Sequence, residues 1–396
     1  MAPGDDGPVP SASMEATPAL DPRVPGLTTP DGDAAASQPP TARPDGEPDV
    51  EQLSLSRRLR QPRTIVSIAV PFAIIATFVG INGQALAKVP SLILAVNPWL
   101  VLAAFIVFYA GFPLRGYRWR ILLRGTGFRI TTKDSTEIIF LSWLVNCVVP
   151  AKLGDVYRAY LLKINSSGAS LSRTFGTVFI ERVLDLFAIA LLGLAAGYWS
   201  FRDGLPPATQ IVFGIGLVVV TILGVGLFTM RNFGRRIIVA MPFLPRSLLE
   251  LYDRFEEGVF GAIAMHRLPI LVTLTGLIWM TEGFRLWLVV QAFGFDDVSL
   301  GVSGAIFVAL IGSLLTAVPL SPAGLGIVEA GVVGILTVAY GVPLPEATAI
   351  ALLDRVISVF SIIVFGSIAY IVSPLPRGTG HLGEPAPSPT QAPTAA

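Results

Sequence analysis

Long apolar runs separated by short polar stretches recur along the chain from Thr64 to Val372. A helix needs about 20 apolar residues to cross the hydrocarbon core of a bilayer. Runs close to this length predict full spans at 64–82, 92–112, 174–199, 209–230, 269–293 and 347–372. Shorter apolar runs occur at 137–149, 151–164, 300–319 and 327–340. The pattern predicts an all-α polytopic membrane protein with six to eight transmembrane helices; the shorter runs form two re-entrant hairpins, unless 300–319 and 327–340 cross fully.

Composition supports a membrane protein, because 53% of the residues are hydrophobic and 14% are charged, against about 25% charged in soluble domains. The one cysteine, Cys147, excludes an intrachain disulfide and a thiolate metal cluster. Both histidines, His266 and His381, lie in polar segments, so we expect no metal and no cofactor. The net charge of +1 arises from segregated charges and does not indicate a nucleic-acid partner.

Both ends of the chain are polar. Residues 1–56 are rich in proline, glycine, alanine and acidic residues, which predicts a disordered cytoplasmic tail. Arginines crowd residues 57–63, and such a basic collar places the N-terminus in the cytoplasm of a cell-membrane protein. We therefore predict a transmembrane domain at 57–373 and a second disordered cytoplasmic tail at 374–396. The sequence leaves the oligomeric state open.

Two polar connections carry further signals. The densest basic segment follows the second span and contains Arg115, Arg118, Arg120, Arg124, Arg129 and Lys133. We predict that it is cytoplasmic and sets the topology while binding anionic headgroups; alternatively, it guides an anionic lipid inward. Apolar residues recur at helical spacing within 248–263, which predicts an amphipathic helix lying at the membrane surface or binding a partner helix.

Both predicted hairpins are broken at their tips. The breaks are Pro150 and Gly154 in VVPAKLGD, and Pro319, Pro322, Gly324 and Gly326 in AVPLSPAGLG. Irregular backbone at membrane depth is tolerated only inside protein or beside a water-filled cavity. A span that opens with an acid–base pair follows each hairpin, at 181–182 and at 354–355. This layout predicts an inverted repeat of the kind found in secondary transporters; chance likeness of two broken helices is the alternative.

Ionisable residues near the breaks predict a polar, substrate-binding cavity. Each costs about 2.5–3.5 kcal/mol at the bilayer centre, so a charged group there marks a candidate site. Asp155 can pair with Lys152 or with Arg158, leaving the other cation for a phosphate. The candidate substrate-binding residues are Lys152, Asp155, Arg158, Glu181, Arg182, Asp185, Glu329 and Arg355. The alternative is a purely structural role, as ion pairs or, for Glu329, as an acid favouring a helix N-terminus.

Five motifs together resemble one family. They are RGYRWRILL, NCVVPAKLGDVYRAYLL, FIERVLDL, LTAVPLSPAGLGIVEAGVV and ALLDRV. The segment from Ser67 to Ser373 resembles the lysylphosphatidylglycerol synthase transmembrane region family, also called flippase-like proteins. The resemblance implies a polytopic domain that, in bifunctional members, moves aminoacylated phospholipid between leaflets. Those members also carry a soluble aminoacyl transferase domain, which this chain lacks, so we expect no lysyl transfer and leave the cargo open.

We therefore predict a non-enzymatic membrane protein that translocates a lipid with a polar, anionic headgroup, either a phospholipid or a polyprenyl-linked lipid. Membrane lipids are then its main partners. The competing hypothesis is a non-transporting scaffold that recruits a cytoplasmic synthase or transferase acting on lipids or glycans.

Overall fold

The computed structural model describes residues 76, 80, 82–84 and 86–382, with gaps at 150–151, 167, 202–206, 235, 237–245, 264, 296–297, 299 and 317–320. The predicted N-terminal tail and most of the predicted first span therefore lie outside the described residues. Pro150 and Pro319 lie outside them as well, as does the tail after 382.

The described chain is built from helices. In order they are α1 (Val89–Leu94), α2 (Pro98–Gly125), α3 (Thr132–Val148), α4 (Leu153–Ile164), α5 (Leu171–Ser200), α6 (Pro207–Thr229), α7 (Arg246–Ala262), α8 (Leu268–Phe293), α9 (Val302–Leu315), α10 (Ile327–Tyr340), α11 (Leu344–Arg355) and α12 (Ser361–Val372). Within these residues, the stretches long and apolar enough to cross a membrane are Pro98–Gly125, Pro322–Tyr340 and Leu344–Val372. The all-α polytopic architecture is thus confirmed.

Helix α2 is longer than the sequence pattern predicted. The predicted span ended at 112, before the basic residues, but the helix continues through Pro113 to Gly125. Neighbouring helices and local adjustments allow membrane helices to accommodate such prolines. As a result Arg115 and Arg118 lie within the helix and are only 5% and 1% exposed. The prediction that these two arginines belong to a cytoplasmic loop was wrong.

Both short hairpins are present. Helices α3 and α4, of 17 and 12 residues, pack together, as do α9 and α10, of 14 residues each. These lengths fall short of the about 20 residues that a full span needs. The stretch 322–340 reaches spanning length only by including a turn in which Ala323 has a φ of 51°.

The two tips have left-handed backbone. Lys152 (φ 52°) and Ala323 (φ 51°) are the non-glycine residues with positive φ in the described part of the chain, and Gly324 and Gly326 continue the second turn. Gly154 was predicted to be a break, but it lies in the first turn of α4. A side chain there would collide with the carbonyl oxygen of Ser142, so this glycine serves close packing.

Helix α7 packs part of its apolar face against α5. Val259 is fully buried, and α7 packs along α5. The contact is close because glycines meet the partner backbone: a side chain at Gly176 would lie 2.9 Å from Gly258 Cα, and one at Gly258 would collide with the carbonyl of Arg173. The partner of the predicted amphipathic helix is therefore the chain's own α5.

The segment after α12 begins with ordered backbone, contrary to the prediction for 374–396. The Leu382 N–H donates to the Asn165 carbonyl (3.0 Å), and the Gly380 N–H donates to Asn165 Oδ1 (2.8 Å). Asn165 directly follows α4, and its backbone and side-chain oxygens accept from backbone donors that would otherwise need water. Residues 374–382 consequently lie against the end of the first hairpin.

Candidate functional site

A cavity of about 380 Å³ lies where the two hairpin tips meet the long helices. The first hairpin contributes Asn146, Cys147, Lys152 and Asp155, and the second contributes Thr316, Ser321, Ala323 and Gly324. Helices α2, α5, α8 and α11 contribute further charged residues, namely Arg115, Arg182, Asp185, Glu282, Arg285, Asp354 and Arg355. The cavity therefore combines irregular backbone with a high density of charge, as the sequence pattern predicted.

Arg182 connects α5 to the first hairpin. Its Nη2 lies 2.6 Å and its Nε 2.8 Å from the two carboxylate oxygens of Asp155, and its Nη1 lies 3.5 Å from Asp185. The Arg182 side chain remains 31% exposed. Such two-point contacts fix the orientation of a guanidinium. The pairing differs from the sequence expectation, in which Asp155 was to bind Lys152 or Arg158.

A second layer of charge lies behind this pair. Arg118 contacts Asp185 at 2.6 Å and Glu181 at 3.2 Å, while Arg158 contacts Glu181 at 3.0 Å. The Arg158 guanidinium also lies over the Trp119 ring, 5.2 Å from its centroid. Arg158 and Glu181 are 1% and 2% exposed and do not line the cavity. Their observed contacts are therefore with protein groups that hold the cavity wall.

A separate cluster joins α2, α8 and α11. Arg115 contacts Glu282 at 2.6 Å, and Arg285 contacts Glu282 at 3.1 Å and Asp354 at 2.5 Å. All of these residues line the cavity. Leaving one of two buried partners unpaired costs about 3–5 kcal/mol, so the cluster depends on every member being present.

Glu329 and Arg355 form the remaining pair. Arg355 Nε lies 3.0 Å from Glu329 Oε1, and Glu329 Oε2 accepts a hydrogen bond from the Gly326 N–H at 2.6 Å. Glu329 thus caps the start of α10 and pairs with a cation that lines the cavity. Glu329 therefore lies at a helix N-terminus, as the structural alternative predicted, and it also pairs with Arg355.

Lys152 differs from the other cations of the site. It lines the cavity, precedes α4 and makes no ion pair with any carboxylate in the described residues. The adjoining tip is held by Asn146, whose Oδ1 accepts a hydrogen bond from the Gly154 N–H at 2.8 Å. Lys152 is therefore presented by a fixed turn.

The two halves of the chain share residues as well as layout. RGYR at 115–118 corresponds to EGFR at 282–285, PAKLGDV at 150–156 to PAGLGIV at 322–328, and ERV at 181–183 to DRV at 354–356. In this alignment Arg118 matches Arg285, Lys152 matches Gly324, and Arg182 matches Arg355. The repeat thus extends from the hairpin tips to the long helices around them.

Contacts repeat along with the residues. Arg118 contacts Glu181 at 3.2 Å, and the corresponding Arg285 contacts the corresponding Asp354 at 2.5 Å. Where these pairs form, the neighbouring glycines Gly116 and Gly283 let each long helix approach its hairpin closely. The internal repeat is therefore present in side-chain contacts as well as in the order of helices.

Sequence analysis missed several residues of the site. Arg115 and Arg118 were assigned to topology, and Asp354, Trp143 and Asn146 were not among the candidates. The repeated x-Gly-aromatic-Arg motif at 115–118 and 282–285 is the signal that identifies the two arginines. No periodic pattern marks Trp143, although its ring lies 4.8 Å from the Arg115 guanidinium carbon.

Comparison with known proteins gives consistent matches. The family model described as lysylphosphatidylglycerol synthase TM region matches residues 64–366. A UPF0104 membrane protein of Methanocaldococcus jannaschii is 38% identical over 58% of this chain and 93% of its own length. Glycosyltransferase AglD of Haloferax volcanii is 30% identical over 77% of this chain but only 54% of its own length. A UPF0104 membrane protein of Methanothermobacter thermautotrophicus is 26% identical over 68% of this chain and 82% of its own length.

Proposed function

Since the chain belongs to the lysylphosphatidylglycerol synthase transmembrane region family, we propose that it translocates a lipid with a polar, anionic headgroup between the leaflets of the cell membrane. The headgroup, of a phospholipid or a polyprenyl-linked lipid, enters the cavity between the two hairpin tips, while the acyl chains stay in the bilayer. The chain acts as a transporter and performs no chemistry on the lipid, and both of its termini face the cytoplasm.

The observation that carries this proposal is the charged cavity between two broken hairpins. Ionised side chains cost about 2.5–3.5 kcal/mol each at the bilayer centre, and those present there characteristically line substrate pathways. A repeat of broken helices around a central site is the layout of secondary transporters. The cavity also reaches the about 300–1,000 Å³ typical of small-molecule sites.

Residues of the site divide into two roles in this mechanism. Lys152, Arg182 and Arg355 line the cavity and face the headgroup, which they attract through its phosphate. Arg158 and Glu181 lie behind the wall and hold the helices that present those cations. The carboxylates keep the arginines oriented and partly neutralised, so that an anion is bound but still able to leave.

Reconstitution tests the proposal. The protein is placed in vesicles with a lipid fluorescently labelled on an acyl chain, and label movement between leaflets is followed by quenching from outside. We expect Arg182→Ala and Asp155→Asn to slow movement. Arg173→Ala is the matched control, because Arg173 pairs with Glu257 outside the cavity and the two side chains are 35% and 53% exposed. Unchanged movement in both cavity variants would rule the site out.

One observation favours a second candidate function. The chain spans about half the length of AglD, a relative named as a glycosyltransferase. A membrane domain shared with a protein named as a transferase suits an accessory subunit that recruits such an enzyme. A pull-down with and without residues 1–56 tests this: loss of a bound transferase together with unimpaired lipid movement would assign the tail to recruitment and the membrane domain to transport.

A further inference from the structure

The charges around the cavity are almost balanced. Six carboxylates belong to the site, and each contacts an arginine: Asp155, Glu181, Asp185, Glu282, Glu329 and Asp354. Their partners are also six in number: Arg115, Arg118, Arg158, Arg182, Arg285 and Arg355. Lys152 is the remaining cation. The ionised site, as the structure describes it, therefore carries one net positive charge.

Lys152 occupies backbone that disfavours a lysine. Its φ is 52°, and the corresponding residue of the second hairpin is Gly324, with a φ of 72°. An L-residue in the left-handed region costs about 1–2 kcal/mol, whereas glycine adopts it freely. Unfavourable backbone of this kind is retained where a side chain has a function. The position therefore favours a functional role for the ammonium group.

Two buried donors in the arginines around the cavity also lack partners. Arg115 Nη1 and Arg285 Nε are buried and make no hydrogen bond within the described residues. A buried donor without an acceptor costs about 1–3 kcal/mol. Both arginines line the same cavity as Lys152. Neither donor atom is accessible from the cavity, so these two arginines hold its wall, and Lys152 is the lining cation that pairs with no carboxylate in the described residues.

We infer, building on the proposed function, that the ligand is a lipid phosphodiester with one net negative charge and that Lys152 holds its phosphate. A monoanion makes the site neutral. A phosphomonoester or diphosphate leaves excess negative charge in a poorly solvated cavity, and a zwitterionic headgroup leaves the charge of Lys152 uncompensated. Each uncompensated buried ion costs several kcal/mol, so the charge of the headgroup selects the substrate.

The experiment compares headgroups in the same vesicle assay. Acyl-labelled phosphatidylglycerol is the monoanionic diester, phosphatidic acid the monoester and phosphatidylethanolamine the zwitterion. We expect the native chain to move phosphatidylglycerol at least tenfold faster than the other two. Equal or faster movement of phosphatidic acid or phosphatidylethanolamine would overturn selection by headgroup charge and leave the proposed transport intact. Movement of none of the three would overturn the inference and exclude phospholipids as the cargo.

A glycine variant and a surface control together isolate the role of the Lys152 ammonium group. Lys152→Gly relieves the left-handed backbone, so we expect an unchanged or raised melting temperature together with at least tenfold slower movement of phosphatidylglycerol. Arg173→Ala removes a cation that pairs with Glu257 outside the cavity, and should retain movement. Full movement in Lys152→Gly would overturn the role of this residue, and so would an equal loss in both variants.

A binding experiment with a water-soluble phosphodiester tests whether the ligand is a lipid. Binding of glycerophosphoglycerol to the purified chain is compared with binding of short-chain phosphatidylglycerol by titration calorimetry. We expect the lipid to bind more tightly, with Lys152→Gly weakening it. Binding of the soluble ester alone would overturn the assignment of a lipid ligand.

Discussion

Arg182 and Arg355 occupy equivalent positions in the two halves of the chain, and each pairs with an acid in the first turn of a hairpin's second helix. Arg182 lies 2.6 Å from Asp155 on α4, and Arg355 lies 3.0 Å from Glu329 on α10. Each long helix is thereby tied to the tip of the hairpin in its own half. The cavity is therefore bounded by two similar connections, one from each half.

Because the two ion pairs are equivalent, we expect loss of either arginine to impair lipid movement equally. We expect Arg355→Ala to slow lipid movement to the same extent as Arg182→Ala, by about tenfold if each loss weakens headgroup binding by about 1.4 kcal/mol. Both are measured in the vesicle assay, with Arg173→Ala as the surface control. Normal movement in Arg355→Ala beside a defect in Arg182→Ala would show that the halves contribute unequally.

Glu282 should be essential to stability because it lies between Arg115 and Arg285. Glu282→Gln leaves both guanidiniums with less compensation, and we expect a loss of about 3–5 kcal/mol in the free energy of unfolding. The melting temperature in detergent measures it. The double variant Arg115→Glu, Glu282→Arg restores the opposite charges and should recover part of the loss, since Arg285 keeps Asp354. A double variant that melts no higher than Glu282→Gln would show that the opposite charges at 115 and 282 do not themselves stabilise the protein.

The packing glycines of the long helices give a third prediction. A side chain at Gly116 would lie 2.9 Å from Thr136 Cα, and one at Gly283 would lie 2.9 Å from Ile306 Cα. We expect Gly116→Ala and Gly283→Ala each to destabilise the protein by about 1–3 kcal/mol through overpacking. Gly276→Ala, in α8 with open space around it, is the control and should stabilise by up to about 1 kcal/mol. The melting temperatures of the three variants are compared. Gly116→Ala and Gly283→Ala variants as stable as Gly276→Ala would contradict the prediction.

Cys147 offers a native probe of the cavity. It is 7% exposed, lines the cavity and is the one cysteine of the chain. A buried thiol in apolar surroundings reacts slowly, so we expect slow labelling by a small thiol reagent and several-fold slower labelling once phosphatidylglycerol is bound. Cys147→Ala supplies the blank. A labelling rate unaffected by the lipid would place the headgroup elsewhere.

Much of the fold could be predicted from local pattern. The long helices α5, α6 and α8, the two short hairpins and the interruption at 322–326 follow from hydrophobic length and from the positions of proline and glycine. The boundary of α2 was predicted too early, because the arginines after 112 were interpreted as a cytoplasmic connection and not as part of a packed helix. That single boundary also hid Arg115 and Arg118.

Ion-pair partners could not be predicted from spacing along the chain. Lys152, Asp155 and Arg158 are close in sequence, yet Asp155 pairs with Arg182 and Arg158 with Glu181 on α5. The chosen partner depends on which helix lies opposite, and that is a property of the assembled fold. Aligning the two halves reveals which ion pairs are repeated, because equivalent residues form equivalent pairs in each half.

The contact between Arg115 and Glu282 has a consequence for the ancestry of the protein. The two residues hold the same place in their respective halves and touch each other. A chain made of two identical copies of either half would therefore bring arginine against arginine, or glutamate against glutamate, in a buried position. The halves can no longer be exchanged, and a split gene should yield a working protein only when both different fragments are expressed together.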